Sequence, residues 1–401
     1  METTNRMRRI HTFQTNLEAA GLSAAVLILS RDVFYYTGTA QPGILLVTPD
    51  TCYLIVRRAM DFVRQETFLE KSRIIDGGGF KDACRVLKEM GVVKGRLGIE
   101  QDIIPAALYL KIKSIFSEFS LEDISGLIFN QRMQKDADEM EAIKQACCIM
   151  DIGHKRTLAV LKPGITELEL AAEIECAHRK SGHEGVLSMR HFDFYISRGP
   201  LSAGNNLFKV SGFANTVTGV GLSAAVPAGP SYSAVRKGDL VITDIPTCYK
   251  GYHCDQTRTY AAGKPRAGAA DLFRKLKEIS DRTMETIKAG VFCGQVYDAA
   301  VRAASRLGVS EYFLGLPPRK AGFVGHGIGL DANEPPILSH GSEIVLKKDY
   351  VLTIEMHLTH PEYGVVKLED MIRVVKNGFR LMSVTPRTLF AVDRHSRSSV
   401  C

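Results

Sequence analysis

Tryptophan is absent from the 401 residues, aromatic side chains make up only 8%, and no apolar run approaches the roughly 18 residues that a membrane span requires. The longest candidate, Ala19 to Ser30, follows Glu18 and runs into Arg31-Asp32 without the small-residue cleavage site of a signal peptide. It is expected as a buried strand, and no membrane partner is expected. No Cys-x-x-Cys pair occurs, and the nine cysteines are odd in number and include the adjacent Cys147-Cys148. These features exclude a disulfide framework and a thiolate zinc site, and they point to a reducing, cytoplasmic setting. Neither Gly-x-Ser-x-Gly nor His-Glu-x-x-His is found, which removes the nucleophile-elbow hydrolases and the zinc peptidases built on that helix. A large excess of one charge is also missing. Lys+Arg number 51 against 44 Asp+Glu, and the resulting +7 is spread along the chain with no basic stripe for nucleic acid.

What is there resembles an ordinary globular enzyme, 45% hydrophobic and 24% charged, and its length suggests two domains. The first third alternates helix and strand. Arg8 to Ala20 is an amphipathic helix stopped by Gly21; Ala24 to Leu29, Ile44 to Thr48 and Cys52 to Val56 are strands, the last two turned into a hairpin at Pro49-Asp50. Helices at Met60 to Phe68 and Lys81 to Met90 and a strand at Arg96 to Glu100 complete an α/β module without obvious chemistry. A boundary is expected near Arg132, giving domains over 1–132 and 133–392 and an unstructured tail over 393–401.

The second domain carries a weak internal repeat. Leu161-Lys-Pro-Gly164 leads into a helix that stops at Gly182, and Ile287-Lys-Ala-Gly290 leads into one that stops at Gly308. Each follows another long helix (Asp136 to Leu161, Ala269 to Ala289), and the copies share Lys162/Lys288, Gly164/Gly290, Ala177/Ala303 and Gly182/Gly308. Thr166 with Glu169 makes a capping box for the first copy. Strands come next in each copy, so the fold class is α+β, with two similar helix–helix–sheet halves.

Each half ends in an acidic hairpin. Asp244 and Asp255 flank a turn around Lys250-Gly251 and are expected to lie directly opposite each other on one face; Glu355 and Glu369 are equidistant from Glu362 and are expected to do the same. Like charges in opposed positions repel, and the two glutamates sit among Val, Leu and Ile, so something cationic is expected between the acids. Gly325-His-Gly-Ile-Gly-Leu330 adds His326, whose glycine neighbours leave it room to approach a site. Four carboxylates and one imidazole carry −4, which two divalent cations neutralise; oxygen-rich ligation with one nitrogen suits Mn²⁺, Fe²⁺, Co²⁺ or Zn²⁺. Gly219-Val-Gly-Leu-Ser-Ala224 imitates a dinucleotide fingerprint, but Pro227, Gly229 and Pro230 forbid the helix it needs. Cys248 and Cys254, beside the aspartates in sequence, are expected to serve packing.

Taken together, Asp244 with Asp-Gln-Thr-Arg-Thr259, Gly-His326-Gly-Ile-Gly-Leu, Thr-Ile-Glu355 and Leu-Glu369-Asp resemble the pita-bread metallopeptidase superfamily of Xaa-Pro aminopeptidases, prolidases, creatinases and methionine aminopeptidases. The first domain looks like the creatinase-type amino-terminal domain. The resemblance implies a pita-bread fold with a pseudo-twofold repeat, a pair of divalent metals (manganese first) on Asp244, Asp255, His326, Glu355 and Glu369, Glu355 as the acid/base for a bridging water, and a homodimer. The departures are specific. Histidines of the proline-specific members are replaced by Pro227, Gly322 and Asn333, and an arginine before the last glutamate is Lys367. Asn333, Lys367 and His357 are therefore the candidates for substrate contacts, with His360 expected at the surface beside its turn. The leading function is cleavage of an amide bond in a short peptide, of the Xaa-Pro type. A creatinase-like amidinohydrolase or a lyase of a small zwitterionic substrate, and a binding protein without catalysis, stay open.

Overall fold

The computed structural model describes residues 2–194, 198–213 and 216–393, and the chain divides into two units. From 394 onward the tail expected over 393–401 lies outside the described residues. The first unit is Met1–Arg132 with Asp136–Asp138; the second is Met133–Lys135 with Glu139–Cys401. No helix among the described residues is long and apolar enough to cross a membrane.

In the first unit the short apolar runs assemble into a six-stranded mixed sheet, in the order Ile74–Asp76, Cys52–Val56, Gly43–Val47, Ala24–Leu27, Gly95–Ile99, Phe119–Asp123. The expected hairpin is present, with Leu45 opposite Leu54, and Ala24, Val26, Leu46, Ile55, Leu97 and Ile99 lie in one apolar core. Several expectations are corrected. The strand over Ala24 to Leu29 stops at Leu27, because the Ile28 and Leu29 amides turn to donate to the Glu100 carboxylate at 2.6 and 3.0 Å and the helix Ser30–Thr37 starts at once. The run from Ala19 to Ser30 is thus a helix end, a turn, a strand and a helix start rather than one strand. The first helix begins at Glu2, earlier than expected, and helices Ala106–Ile115 and Ser125–Met133 appear where none was expected.

The second unit repeats helix, helix, sheet. Ala137–Val160 and Glu167–Lys180 precede a four-stranded sheet ordered Phe390–Val392, Arg258–Ala262, Leu240–Thr243, Leu201–Ala203. Ala269–Met284 and Cys293–Arg306 precede a five-stranded sheet ordered Glu334–Ser339, Phe323–Gly327, Val351–His360, Gly364–Val375, Gly378–Leu381. The capping box forms as the spacing requires: the Glu169 amide donates to Thr166 Oγ1 at 3.1 Å and the Thr166 amide donates to Glu169 Oε2 at 2.9 Å. The apolar faces of the second helix pair, including Leu272, Leu276, Val296 and Ala300, pack with Leu352, Ile354, Leu358 and Leu368 of the sheet. One face of the long strand pair is therefore sealed, and its other face carries the acids.

Candidate metal centre

The first pair of acids sits where a ladder is interrupted. Leu240–Thr243 pairs with Arg258–Ala262, Thr243 opposite Arg258, and beyond a break Thr247–Tyr249 pairs with Tyr252–Cys254. Lys250 (φ 49°) and Gly251 (φ 78°) both adopt the left-handed region that a two-residue primed turn requires. That turn centres the hairpin between Lys250 and Gly251, one residue later than the direct pairing of the two aspartates demands. The register carried through the break sets Asp244 across from Thr257, so Asp244 and Asp255 are diagonal neighbours and not opposed. Diagonal placement lessens their repulsion while keeping them on one face. Cys248 and Cys254 are buried thiols, as expected for packing residues.

The second pair is directly opposed: Glu355 pairs with Glu369 in the antiparallel ladder between Val351–His360 and Gly364–Val375. Both are buried. His326 lies on the next strand, opposite Thr353. Its glycine neighbours answer to packing more than to access. A side chain at Gly325 would run into the Thr353 carbonyl at 2.1 Å, and one at Gly327 into the Pro335 carbonyl at 2.2 Å. His326 Nδ1 is 3.0 Å from the Gly327 carbonyl, which can only accept, so Nδ1 carries the proton and Nε2 keeps its lone pair. That Nε2 is 3.9 Å from Glu355 Oε2, and burial lowers the imidazole pKa and keeps it neutral.

Donor atoms from these residues gather in two overlapping groups. One atom each from Asp255, His326 and Glu369 lie within 4.8 Å of one another, as do one each from Asp244, Glu355 and Glu369. Glu369 belongs to both. Its carboxylate is fixed from behind: Thr257 Oγ1 donates to Oε2 at 2.8 Å, and the Arg258 guanidinium donates to the Glu369 carbonyl and to Asp370, each at 2.6 Å. The Asp-Gln-Thr-Arg-Thr segment thus positions the last glutamate, a role that the motif alone did not reveal.

The third feature is Lys367. It is fully buried, and its Nζ lies 2.5 Å from Asp244 Oδ2 and 2.5 Å from Glu355 Oε1. Burial alone would lower its pKa, but Asp244, Glu355 and Glu369 outweigh that and hold it well above the ordinary lysine value. Expected as a substrate contact, Lys367 is instead embedded among the acids. Even so, one ammonium leaves four carboxylates at a net −3. Burial, and after it the neighbouring carboxylates, push the Asp255 and Glu369 pKa values well up, and Asp255 Oδ1 and Glu369 Oε1 are buried without a hydrogen-bond partner. Two orphaned carboxylate oxygens facing a lone-pair nitrogen are the donor set of a divalent cation, and the residues present fit one.

The remaining candidates divide. His357 is buried and pairs across the ladder with Lys367; burial and then the Lys367 charge push its pKa down to about 3, so it is a neutral imidazole beside the acids. Asn333 is half-buried and its side chain makes no hydrogen bond among the described residues. It precedes Glu334, whose carboxylate is held by Lys135 at 2.7 Å in a buried pair. His360 is half-buried and accepts the Glu362 and Tyr363 amides, both at 3.2 Å, which makes it a turn residue.

The comparisons with known proteins follow the same division of the chain. Residues 141–376 match metallopeptidase family M24, and residues 9–134 match the creatinase/prolidase N-terminal domain. Peptidase YqhT of Bacillus subtilis is 26% identical over 375 residues, covering 92% of this chain and 96% of its own length. The Xaa-Pro dipeptidase of Pyrococcus horikoshii is 25% identical over 370 residues, covering 91% of this chain and 94% of that protein. Among solved structures, the Xaa-Pro dipeptidase from Bacillus anthracis superposes with a TM-score of 0.80 at 25% identity, covering 96% of this chain and 99% of that one.

Proposed function

The chain belongs to metallopeptidase family M24, and from that premise we propose that it is a hydrolase that binds two divalent ions, manganese first, and cleaves the amide bond of a short Xaa-Pro peptide. The observation that supports this most is the meeting of Asp244, Asp255, His326, Glu355 and Glu369 around two orphaned carboxylate oxygens. Divalent ions held there would act as Lewis acids on the scissile carbonyl and make water a competent nucleophile at neutral pH. In this reading Glu355 takes the proton from the attacking water and delivers it to the leaving amine, through the carboxylate that faces His326. Lys367 holds Asp244 and Glu355 in position, and His357, neutral at working pH, offers a hydrogen bond at the rim. Asn333 takes the place of an imidazole and supplies an amide that hydrogen-bonds substrate without moving a proton. Among its described residues the N-terminal unit shows no such acid set, and it serves as packing surface of a homodimer; light scattering that returns a single 44.1 kDa particle at micromolar concentration contradicts that assembly.

One observation favours a second reading, a non-peptidase reaction on the same scaffold: Pro227, Gly322 and Asn333 stand where the resemblance to the proline-specific members implies histidine. A panel of Xaa-Pro dipeptides, other dipeptides and small amidines, assayed with Mn²⁺, Co²⁺ and Zn²⁺, separates the two. Metal-dependent turnover of Xaa-Pro dipeptides is expected; turnover of amidines alone would replace the peptidase reading with the second one.

A further inference from the structure

Among the described residues Lys367 is the one cation lodged among the acids of the centre, and it divides the donor atoms unequally. On one side Asp255 Oδ1 and Glu369 Oε1 are buried and unpartnered, and His326 Nε2 keeps its lone pair. On the other side Asp244 Oδ2 and Glu355 Oε1 each already hold the Lys367 ammonium at 2.5 Å. We infer that Lys367 sets the order in which the centre loads: a first divalent ion enters the Asp255–His326–Glu369 half, and a second enters the Asp244–Glu355 half only by displacing the ammonium. The inference rests on the proposed metal-binding role of these five residues.

Charge accounting gives the inequality its direction. With Lys367 present the four carboxylates stand at −3, so a first divalent ion brings the group to −1 and a second to +1. Without the lysine the same steps run from −4 through −2 to zero. The second ion therefore meets a weaker attraction while the ammonium stays, −1 against −2 without it. Where Lys367, Asp244 and Glu355 are buried, the repulsion between an ammonium and a divalent ion a few ångströms apart is weakly screened. The geometry adds to the effect, since an ion between Asp244 and Glu355 needs the same oxygens that Nζ occupies. Lysine suits this role because its ammonium is a compact point charge on a flexible stem and can be withdrawn by rotation. It acts on the metal sites through the two carboxylates and is a positioning residue.

The test uses the full chain stripped of metal and Mn²⁺ alone. Calorimetric titration with metal analysis is expected to give one tight site and a second weaker by on the order of 100-fold or more. Lys367→Met is expected to bring the two affinities within about tenfold, while Lys367→Arg, which keeps the charge, preserves the gap. A crystal of the unaltered chain grown with less than one equivalent of Mn²⁺ needs no variant: anomalous density belongs on Asp255, His326 and Glu369, with Lys367 still against Asp244 and Glu355. Two equal sites in the unaltered chain, or a first ion between Asp244 and Glu355, overturn the loading order and leave the metal-centre reading intact. A chain that binds no Mn²⁺ overturns both.

Discussion

Each unit of the protein buries a cluster of acids, and the two clusters are resolved in opposite ways. In the N-terminal unit Asp32, Glu100 and Arg132 are buried, and Arg132 donates to Asp32 at 2.8 Å. Glu100 accepts the Ile28 and Leu29 amides, and burial, then Asp32, pushes its pKa well up. Each acid of this cluster therefore has a donor against it. In the C-terminal unit four carboxylates share one ammonium, a neutral imidazole and two oxygens with no partner. Burial of acids is common to both units, so burial does not mark a site. What marks it is the imbalance that the chain leaves uncorrected.

The comparison can be broken most strongly at Glu355. Glu355→Gln should lower kcat on an active substrate by roughly 10³–10⁴, since the amide neither takes the proton nor balances cationic charge. The change is nearly isosteric, so unfolding midpoints should move little, and a variant that keeps a tenth of the activity would remove Glu355 from the mechanism. The next effect belongs to the balanced cluster. Arg132→Met takes the guanidinium away from the buried Asp32 and should cost about 3–5 kcal/mol in urea unfolding. Adding Asp32→Leu should recover most of that loss, because the penalty lies in the unpaired charge more than in the lost bond. If the double variant is as unstable as the single, the N-terminal cluster is not self-balancing and the contrast with the metal centre fails.

How much of this could be read from the sequence varies with how local the cause is. The Thr166–Glu169 box and the Glu355–Glu369 opposition depend on residues a few positions apart, or on a ladder with one even turn, and spacing alone placed them. The Asp244–Asp255 pairing failed by one residue in the hairpin centre because the residues that set it, Lys250 and Gly251, work through backbone sign and not through side-chain pattern. The helix Ser30–Thr37 was hidden for another reason. Its Val, Phe, Tyr and Tyr suit a strand, and Asp32 is fixed by Arg132, a hundred residues away, which no local pattern encodes. Lys367 was legible in part. The resemblance singled it out in place of an arginine, and there it read as a substrate contact; the distances to Asp244 and Glu355 show it bridging the two acids.

The smallest effect concerns buried groups that answer the cost of charge by staying neutral. Burial, against the partial pull of Asp151, lowers the His154 pKa to about 4; burial, then His183, lowers His178 to about 4. His154 Nδ1 shares a 2.8 Å hydrogen bond with the Tyr260 hydroxyl, and no carboxylate pairs with either ring among the described residues. A histidine whose folded pKa lies below its unfolded value near 6.5 is protonated more readily in the unfolded chain. The stability it contributes is complete above about pH 6.5 and drains away as pH falls toward about 4. Each such group is worth about 2–3 kcal/mol over that window. His154→Gln should therefore halve the acid-side slope of unfolding free energy against pH that the two histidines share, while the neutral-pH value falls by no more than about a hydrogen bond's worth, ~1 kcal/mol. A slope unchanged between pH 6.5 and 4 would mean that His154 takes its proton inside the fold, and that neutrality is not how this part of the C-terminal unit tolerates a buried titratable group.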